Sequence, residues 1–257
     1  MRTLPRLRVF GWALVPALFA VALTAAAVPK WVVKSATLQS KTDRYGHNVL
    51  GGNEYAELNV QFLSGGDIMK RQTITLPPDR VFEDIEARIT DLTLEIEHMG
   101  DRPIHIVVVE SSARGGAELA VYGLRDGKIE KIAATPPIGR RNRWLAPAGI
   151  ADFDGDGQND IAYVETPHIG GTLRIWTMRD GKLVQIASKR GFSNHRIGED
   201  FITGGVRDCG QGPELVLPNF NWSGLMVARM TGDGIATREI GSQTGKAAVD
   251  AALACQK

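Results

Sequence analysis

Along residues 90 to 243 the hydrophobic and polar positions follow a recurring order. A nearly continuous apolar run comes first, as in IHIVVVE (104 to 110), DIAYVE (160 to 165) and ELVLPNF (214 to 220). An alternating stretch follows, then a glycine and aspartate turn, then a second alternating stretch. The three copies are AELAVYGLRDGKIEKIAATPPIG (117 to 139), GTLRIWTMRDGKLVQIASKRGF (171 to 192) and GLMVARMTGDGIATREIG (224 to 241). Short continuous runs predict strands buried on both faces, and alternation predicts half-buried strands joined by tight hairpins. RDGK recurs at 125 and 179, a shift of 54. AELNVQFLSGGDIMKRQTITLP (56 to 77) has the same shape around Gly65, Gly66 and Asp67. RITDL, GIADFD and GGVRDC each supply a further strand ahead of an apolar run. Four strands per unit, in units near 31–84, 85–148, 149–204 and 205–243, predict an all-β chain built as a small β-propeller of about four four-stranded blades. A β-sandwich also uses many short strands, but it needs no repeated sequence. The first unit fits worst, with SATLQSKTDRYGHNVLGG (35 to 52) standing where two strands are expected. The tail, 244–257, ends in the alanine-rich GKAAVDAALACQK and predicts a short C-terminal helix.

The chain's other end departs from this pattern. Arg2, Arg6 and Arg8 precede an apolar run from Val9 to about Ala27 that closes on TAAA. A basic flank, an apolar centre and small residues at Ala25 and Ala27 predict a signal peptide over 1–27 and a periplasmic or secreted protein, with no stable membrane insertion after cleavage. A retained anchor helix is the alternative, because the run is almost long enough to span a bilayer. Export also changes the meaning of the two cysteines, since thiols outside the cytosol pair. Cys209 and Cys255 are expected to form one disulfide that ties the C-terminal helix back to the body. The 257 residues are 43% hydrophobic with a formal net charge of +1, so the chain can bury a core and has no charge bias toward nucleic acid.

ADFDGDGQND, 151 to 160, concentrates four aspartates around two glycines. Crowded carboxylates repel unless a hard cation neutralises them, and oxygen donors of this kind select calcium over zinc or copper. Asp152, Asp154 and Asp156 would give side-chain oxygens, Gln158 its backbone carbonyl and Asp160 the last carboxylate. An EF-hand would need a bidentate glutamate at the twelfth position, which here is Tyr163. The loop is therefore expected to be a strand-to-strand Ca2+ turn with a structural role. GIADFDGDGQNDIAYVE, set between hairpins of one repeat behind a signal peptide, resembles the exported bacterial FG-GAP or VCBS repeat proteins, relatives in fold of the integrin α-subunit propeller. The resemblance covers most of residues 31 to 243. It implies that the aspartate loop joins the first two strands of a blade and holds calcium. The corresponding stretches 90 to 110 and 206 to 218 lack a full ligand set, leaving one complete site.

Polar and aromatic residues collect in the segments that lead into successive units: 42 to 52, 78 to 84, 139 to 147 and 193 to 200. In a propeller such connections gather on one axial face. Arg80, Arg143 and Arg196 are expected there with Tyr45, His47, Asn142, Trp144, Asn194, His195 and Glu199. Three convergent guanidinium groups suit a carboxylate or phosphate, so the expected partner at this face is a small anionic ligand or an unidentified protein. The alternative is that the arginines staple blades by pairing with Glu83, Asp84, Glu199 and Asp200. No nucleophile motif or metal triad is present, and His98, His105 and His168 show no metal-ligand spacing. The function expected from this pattern is a binding or scaffold module in the bacterial envelope. An enzyme acting on a sugar or phosphorylated substrate at an axial pocket is the alternative.

Overall fold

The computed structural model describes residues 31–64, 68–92 and 104–256. The expected leader, the turn at 65–67 and His98 lie outside the described residues. Among the described residues the fold is all-β, with sheets of antiparallel strands and one short helix. Three four-stranded meanders follow one another. The first is β5 (Arg88–Asp91), β6 (Ile104–Ser112), β7 (Gly116–Arg125) and β8 (Lys128–Ala134). The second is β9 (Leu145–Ala151), β10 (Asp160–Glu165), β11 (Thr172–Arg179) and β12 (Lys182–Arg190). The third is β13 (Gly205–Asp208), β14 (Pro213–Pro218), β15 (Leu225–Thr231) and β16 (Gly234–Gly241). Ahead of them stand β1 (Trp31–Lys41), β2 (Tyr55–Ser64) and β3 (Ile68–Thr75), with β2 in the middle. The stretch from 35 to 52 thus supplies the end of one long strand and an irregular connection, not two strands. A short β4 (Arg80–Phe82) pairs with β2 on one side and β6 on the other, joining this first sheet to the next meander.

The repeat in sequence is a repeat in backbone geometry. Asp126 and Gly127 turn with φ of 49° and 79°, and Asp180 and Gly181 with 50° and 70°. Two successive positive φ values give the hairpin turn whose twist matches the flanking strands, which is why aspartate and glycine stand there. A register shift falls between Val121 and Tyr122 in the β7–β8 pair and between Ile175 and Trp176 in the β11–β12 pair, again 54 apart in the sequence.

The continuous apolar runs are explained by how the sheets stack. Successive side chains on a strand point to opposite faces. On β6, Ile106 and Val108 enter a core with Leu58, Val60 and Phe62 of β2, while Val107 and Val109 enter a second core with Trp144, Ile161, Tyr163 and Trp176. On β10, Ile161 and Tyr163 belong to that second core, and Ala162 and Val164 to a third, shared with Leu215 and Leu217 of β14. Each central strand is therefore sandwiched between two neighbours and needs apolar residues at every position.

Val216, on the far face of β14, packs on Val249 and Ala252 of α1 (Lys246–Leu253), so the helix closes the last exposed sheet face. Cys209 and Cys255 form a disulfide with a Cα–Cα distance of 5.8 Å, and Arg207 donates to the Ala252 carbonyl at 2.7 Å. Among the described residues no strand of β1–β3 pairs with a strand of β13–β16. No described helix is long and apolar enough to cross a membrane.

Candidate functional site

The aspartate loop links β9 to β10. Gly155 and Gly157 take φ of 81° and 89°, a region closed to most side chains, and let the chain coil around its own carboxylates. Asp152 accepts hydrogen bonds from Gly155 N at 2.7 Å and Gly157 N at 2.9 Å, and Asp156 accepts from Gln158 N at 2.8 Å. Carboxylate oxygens of Asp152, Asp154 and Asp156 lie within 4.8 Å of one another. Asp160 is fully buried: one oxygen accepts from Phe153 N at 3.1 Å and the other has no hydrogen-bond partner. Burial raises its pKa to about 6, Asp154 and Asp156 adding to the rise while the neighbouring Thr177 hydroxyl and the Phe153 N–H oppose it. A buried carboxylate with an orphaned oxygen costs free energy until a cation or donor meets it. The all-oxygen donor set of Asp152, Asp154 and Asp156 fits calcium; Asp160, expected as a fourth ligand, is buried beside the loop and is not among the carboxylates gathered within 4.8 Å. Asn159 donates from its side chain to the Asp91 carbonyl at 2.9 Å, so the loop also touches the preceding meander.

A second polar cluster forms where the connections between sheets meet. Glu54 is buried and accepts from the backbone N–H groups of Gly46, His47 and Asn48 at 3.0, 2.7 and 3.0 Å, fixing the turn that carries His47. His47 Nδ1 lies 2.6 Å from Oε1 of Glu83, a fully buried carboxylate that follows β4. Its other oxygen accepts from the Ser111 hydroxyl, and its backbone carbonyl accepts from Trp144 Nε1 at 3.0 Å. Burial raises the Glu83 pKa, against the opposing hydrogen bonds from His47 and Ser111. Trp144, itself buried, meets the His195 ring at 5.1 Å. His168, on the β10–β11 turn, places Nε2 at 2.9 Å from His195 Nδ1, and His195 Nε2 lies 2.9 Å from the Glu199 carbonyl. Burial lowers both pKa values, to about 4 for His168, where the neighbouring His195 and His47 also contribute. His47, Trp144, Thr166 and His168 border one cleft of about 30 Å³.

The structure brings together most of the polar residues expected on one face. Tyr45 accepts from Asn142 N at 2.8 Å, Arg141 donates to the Tyr45 carbonyl at 2.7 Å, and Asn194 donates to the Ala146 and Pro147 carbonyls, each at 3.1 Å. The arginines do not share a ligand position. Arg80 bonds Glu110 at 2.6 Å and Glu118 at 2.8 Å. These two acids face each other across β6 and β7, where like charges would repel, and Lys131 bonds both as well. Arg196 lies over the Trp222 ring at 3.9 Å with Glu199 3.8 Å away, while Arg143 borders the histidine cleft. The pairing of Arg80 with Glu83 or Asp84 is not formed, because Glu83 is held by His47 and Asp84 by Arg88 at 2.9 Å.

Sequence reasoning missed His168 and the His47–Glu83 contact, since both are made between distant segments. The adjacency of SNH and ETPH at the ends of equivalent connections was the only available signal. A separate groove of about 550 Å³ runs between the meanders, lined by Ile85, Pro147 to Ile150, Phe201, Ile202 and Val206 among others. Arg88 also borders it, its charge already matched by Asp84.

No family model matches the chain, and no curated protein does. Among solved structures, the exotype rhamnogalacturonan lyase YesX is similar over 82% of this chain and 48% of that one, at 13% identity and a TM-score of 0.42. The chain thus spans about half the length of that structure.

Proposed function

We propose that the chain is an exported, calcium-clipped binding module of the FG-GAP or VCBS kind, its sheets acting as the blades of a small propeller-type array in the bacterial envelope. The observation that carries this reading is the loop between β9 and β10. Three carboxylates lie within 4.8 Å, a fourth is buried beside them with an oxygen unmet, and the loop sits against the preceding meander. Asp152, Asp154, Asp156 and Asp160 would hold the ion, with Gln158 following in the same turn. Bound there, calcium supplies charge neutralisation and no chemistry, since the loop holds no general base. The partner seat in this reading is the 550 Å³ groove, whose walls are largely apolar and whose arginine is already paired. This moves the ligand away from the three arginines and toward a partner segment with apolar side chains.

The test is native purification from periplasm, followed by mass spectrometry of what remains bound. Phe201 is 45% exposed at the rim, so Phe201→Asp alters the groove without touching a core. The reading expects a stoichiometric partner on the wild type that is lost from this variant; equal retention on both would exclude the groove. A catalytic reading, on a sugar or phosphorylated substrate, is favoured by one observation, the histidine cleft with its buried carboxylate. Turnover of such a substrate that is lost on His47→Ala would establish it.

A further inference from the structure

Acids gather at one end of the sheet array and unpaired arginines at the other. In an antiparallel meander successive turns alternate between ends, so the β6–β7, β10–β11 and β14–β15 turns share one end with the β8–β9 and β12–β13 connections. Hydrogen bonds join these five segments in a row. Gly139 N donates to Gly115 O at 2.6 Å, Thr166 N to Trp144 O at 2.9 Å, Ser193 Oγ to Pro167 O at 3.1 Å and Phe220 N to Gly191 O at 2.9 Å. Arg114, Arg140, Arg141, Arg143 and Arg196 all stand in this row, and its only acids are Glu199 and Asp200. Arg196 has Glu199 3.8 Å away, whereas the other four arginines form no ion pair with a described carboxylate. The turns at the opposite end hold Asp126, Asp152, Asp154, Asp156, Asp180 and Asp233. A formal net charge of +1 thus conceals a division between two faces.

The arginine face also exposes apolar side chains at its turns. Ile169 is 60% exposed, Ile197 77% and Phe220 39%, and Trp222 lies 3.9 Å beneath the Arg196 guanidinium. Single exposed apolar residues are ordinary; their coincidence with uncompensated arginines is not. We propose that this end of the molecule docks on an anionic phospholipid surface, with its arginines among the headgroups and Ile169, Ile197 and Phe220 entering the acyl boundary. A protein partner would require a contiguous, well-packed centre, which apolar tips spread along a row do not supply. A lipid interface requires none, because it conforms to each tip while the guanidinium groups stay at headgroup level. Neither signal suffices alone, since stable peripheral binding combines apolar contact with charge. Trp222 suits the same boundary, having an apolar ring with one polar edge. The aspartate loop, at the far end, faces away from the lipid, so docking depends neither on calcium nor on the apolar groove.

The test is co-sedimentation of the protein with vesicles of phosphatidylcholine alone and of phosphatidylcholine mixed with phosphatidylglycerol, in chelator so that calcium bridges nothing. Pelleting with the mixed vesicles only is expected, and it should fall as salt rises. Arg114→Gln combined with Arg140→Gln should weaken binding about 25-fold, at about fivefold for each arginine. Ile197→Asp should weaken it roughly tenfold. Lys128→Gln combined with Lys182→Gln removes two charges from the opposite end and should leave binding unchanged. All five side chains are exposed and make no hydrogen bond or ion pair with a described residue, so these variants keep the fold. No pelleting with the mixed vesicles, or equal losses in the arginine and lysine pairs, would overturn the assignment. So would arginine-dependent retention on heparin without pelleting, which would mark a soluble polyanion or an acidic protein as the partner.

Discussion

The aspartate loop draws all its carboxylates from residues 152 to 160, while the histidine cleft draws His47, Glu83, Trp144, His168 and His195 from five separate connections. The loop is mostly exposed, held by hydrogen bonds to its own backbone, and its four carboxylates face a single basic partner among the ion pairs of the described residues, Arg179, 3.9 Å from Asp154. The cleft is mostly buried, held by bonds between distant segments, and its buried carboxylate, Glu83, is met by His47 and Ser111. A local cluster depends on a ligand to satisfy it and contributes little to folding alone. A cluster assembled across the fold contributes to stability directly, because every bond in it joins two elements. This contrast can be broken by substitution.

The largest effect is expected at the buried centre of the cleft. Glu83→Ala removes the acceptor for His47 and Ser111 and should cost about 3–5 kcal/mol, as breaking a buried pair does. A loss below about 1 kcal/mol in chemical denaturation would show that the cleft does not tie the sheets together. Next comes the C-terminal clasp. Replacing Cys209 and Cys255 by serine opens a loop closed across 46 residues and should cost about 2–4 kcal/mol. That loss should be accompanied by fraying of α1 in amide exchange.

The acid pair on β6 and β7 tests a third kind of cluster, one that spans strands within a single meander. Burial by itself would raise the Glu118 pKa, yet hydrogen bonds from Arg80 and Lys131 hold it below its ordinary 4.5. A carboxylate depressed in the folded state adds stability that is complete above its unfolded pKa and lost as pH falls through the folded one. Arg80→Met should therefore cost about 1–3 kcal/mol at pH 7, and that cost should shrink once pH drops below about 4.5. A cost independent of pH would assign the effect to lost packing. The smallest effect is expected in the loop without its ion: Asp156→Ala in chelator should change stability by less than about 0.5 kcal/mol.

The same contrast governs what could be read in advance. Hairpins at RDGK, the buried strands before them, the alanine-rich helix and the Cys209–Cys255 bond were legible, because each follows from short-range pattern or from the only two cysteines in the chain. The first sheet was not. β1 runs eleven residues without a turn signal, and β4 is three residues long and defined only by its partners on both sides. The partners of Arg80 were sought among its sequence neighbours Glu83 and Asp84, but a strand sends neighbouring side chains to opposite faces. The guanidinium instead meets Glu110 and Glu118 across the sheet. The cleft was hidden for the same reason: His47 and His168 have no motif spacing, and stacking of the sheets alone brings them together.

The proposed calcium clip is the centre of this account, and its direct test is a thermal melt of the protein in calcium and in chelator. Calcium at about 100 times its dissociation constant adds about 2.7 kcal/mol. For a chain of this size that corresponds to a rise in Tm of roughly 5–10 °C. The account predicts this rise for the wild type, no rise with magnesium, and none for Asp154→Ala. Equal melting in calcium and chelator would contradict it.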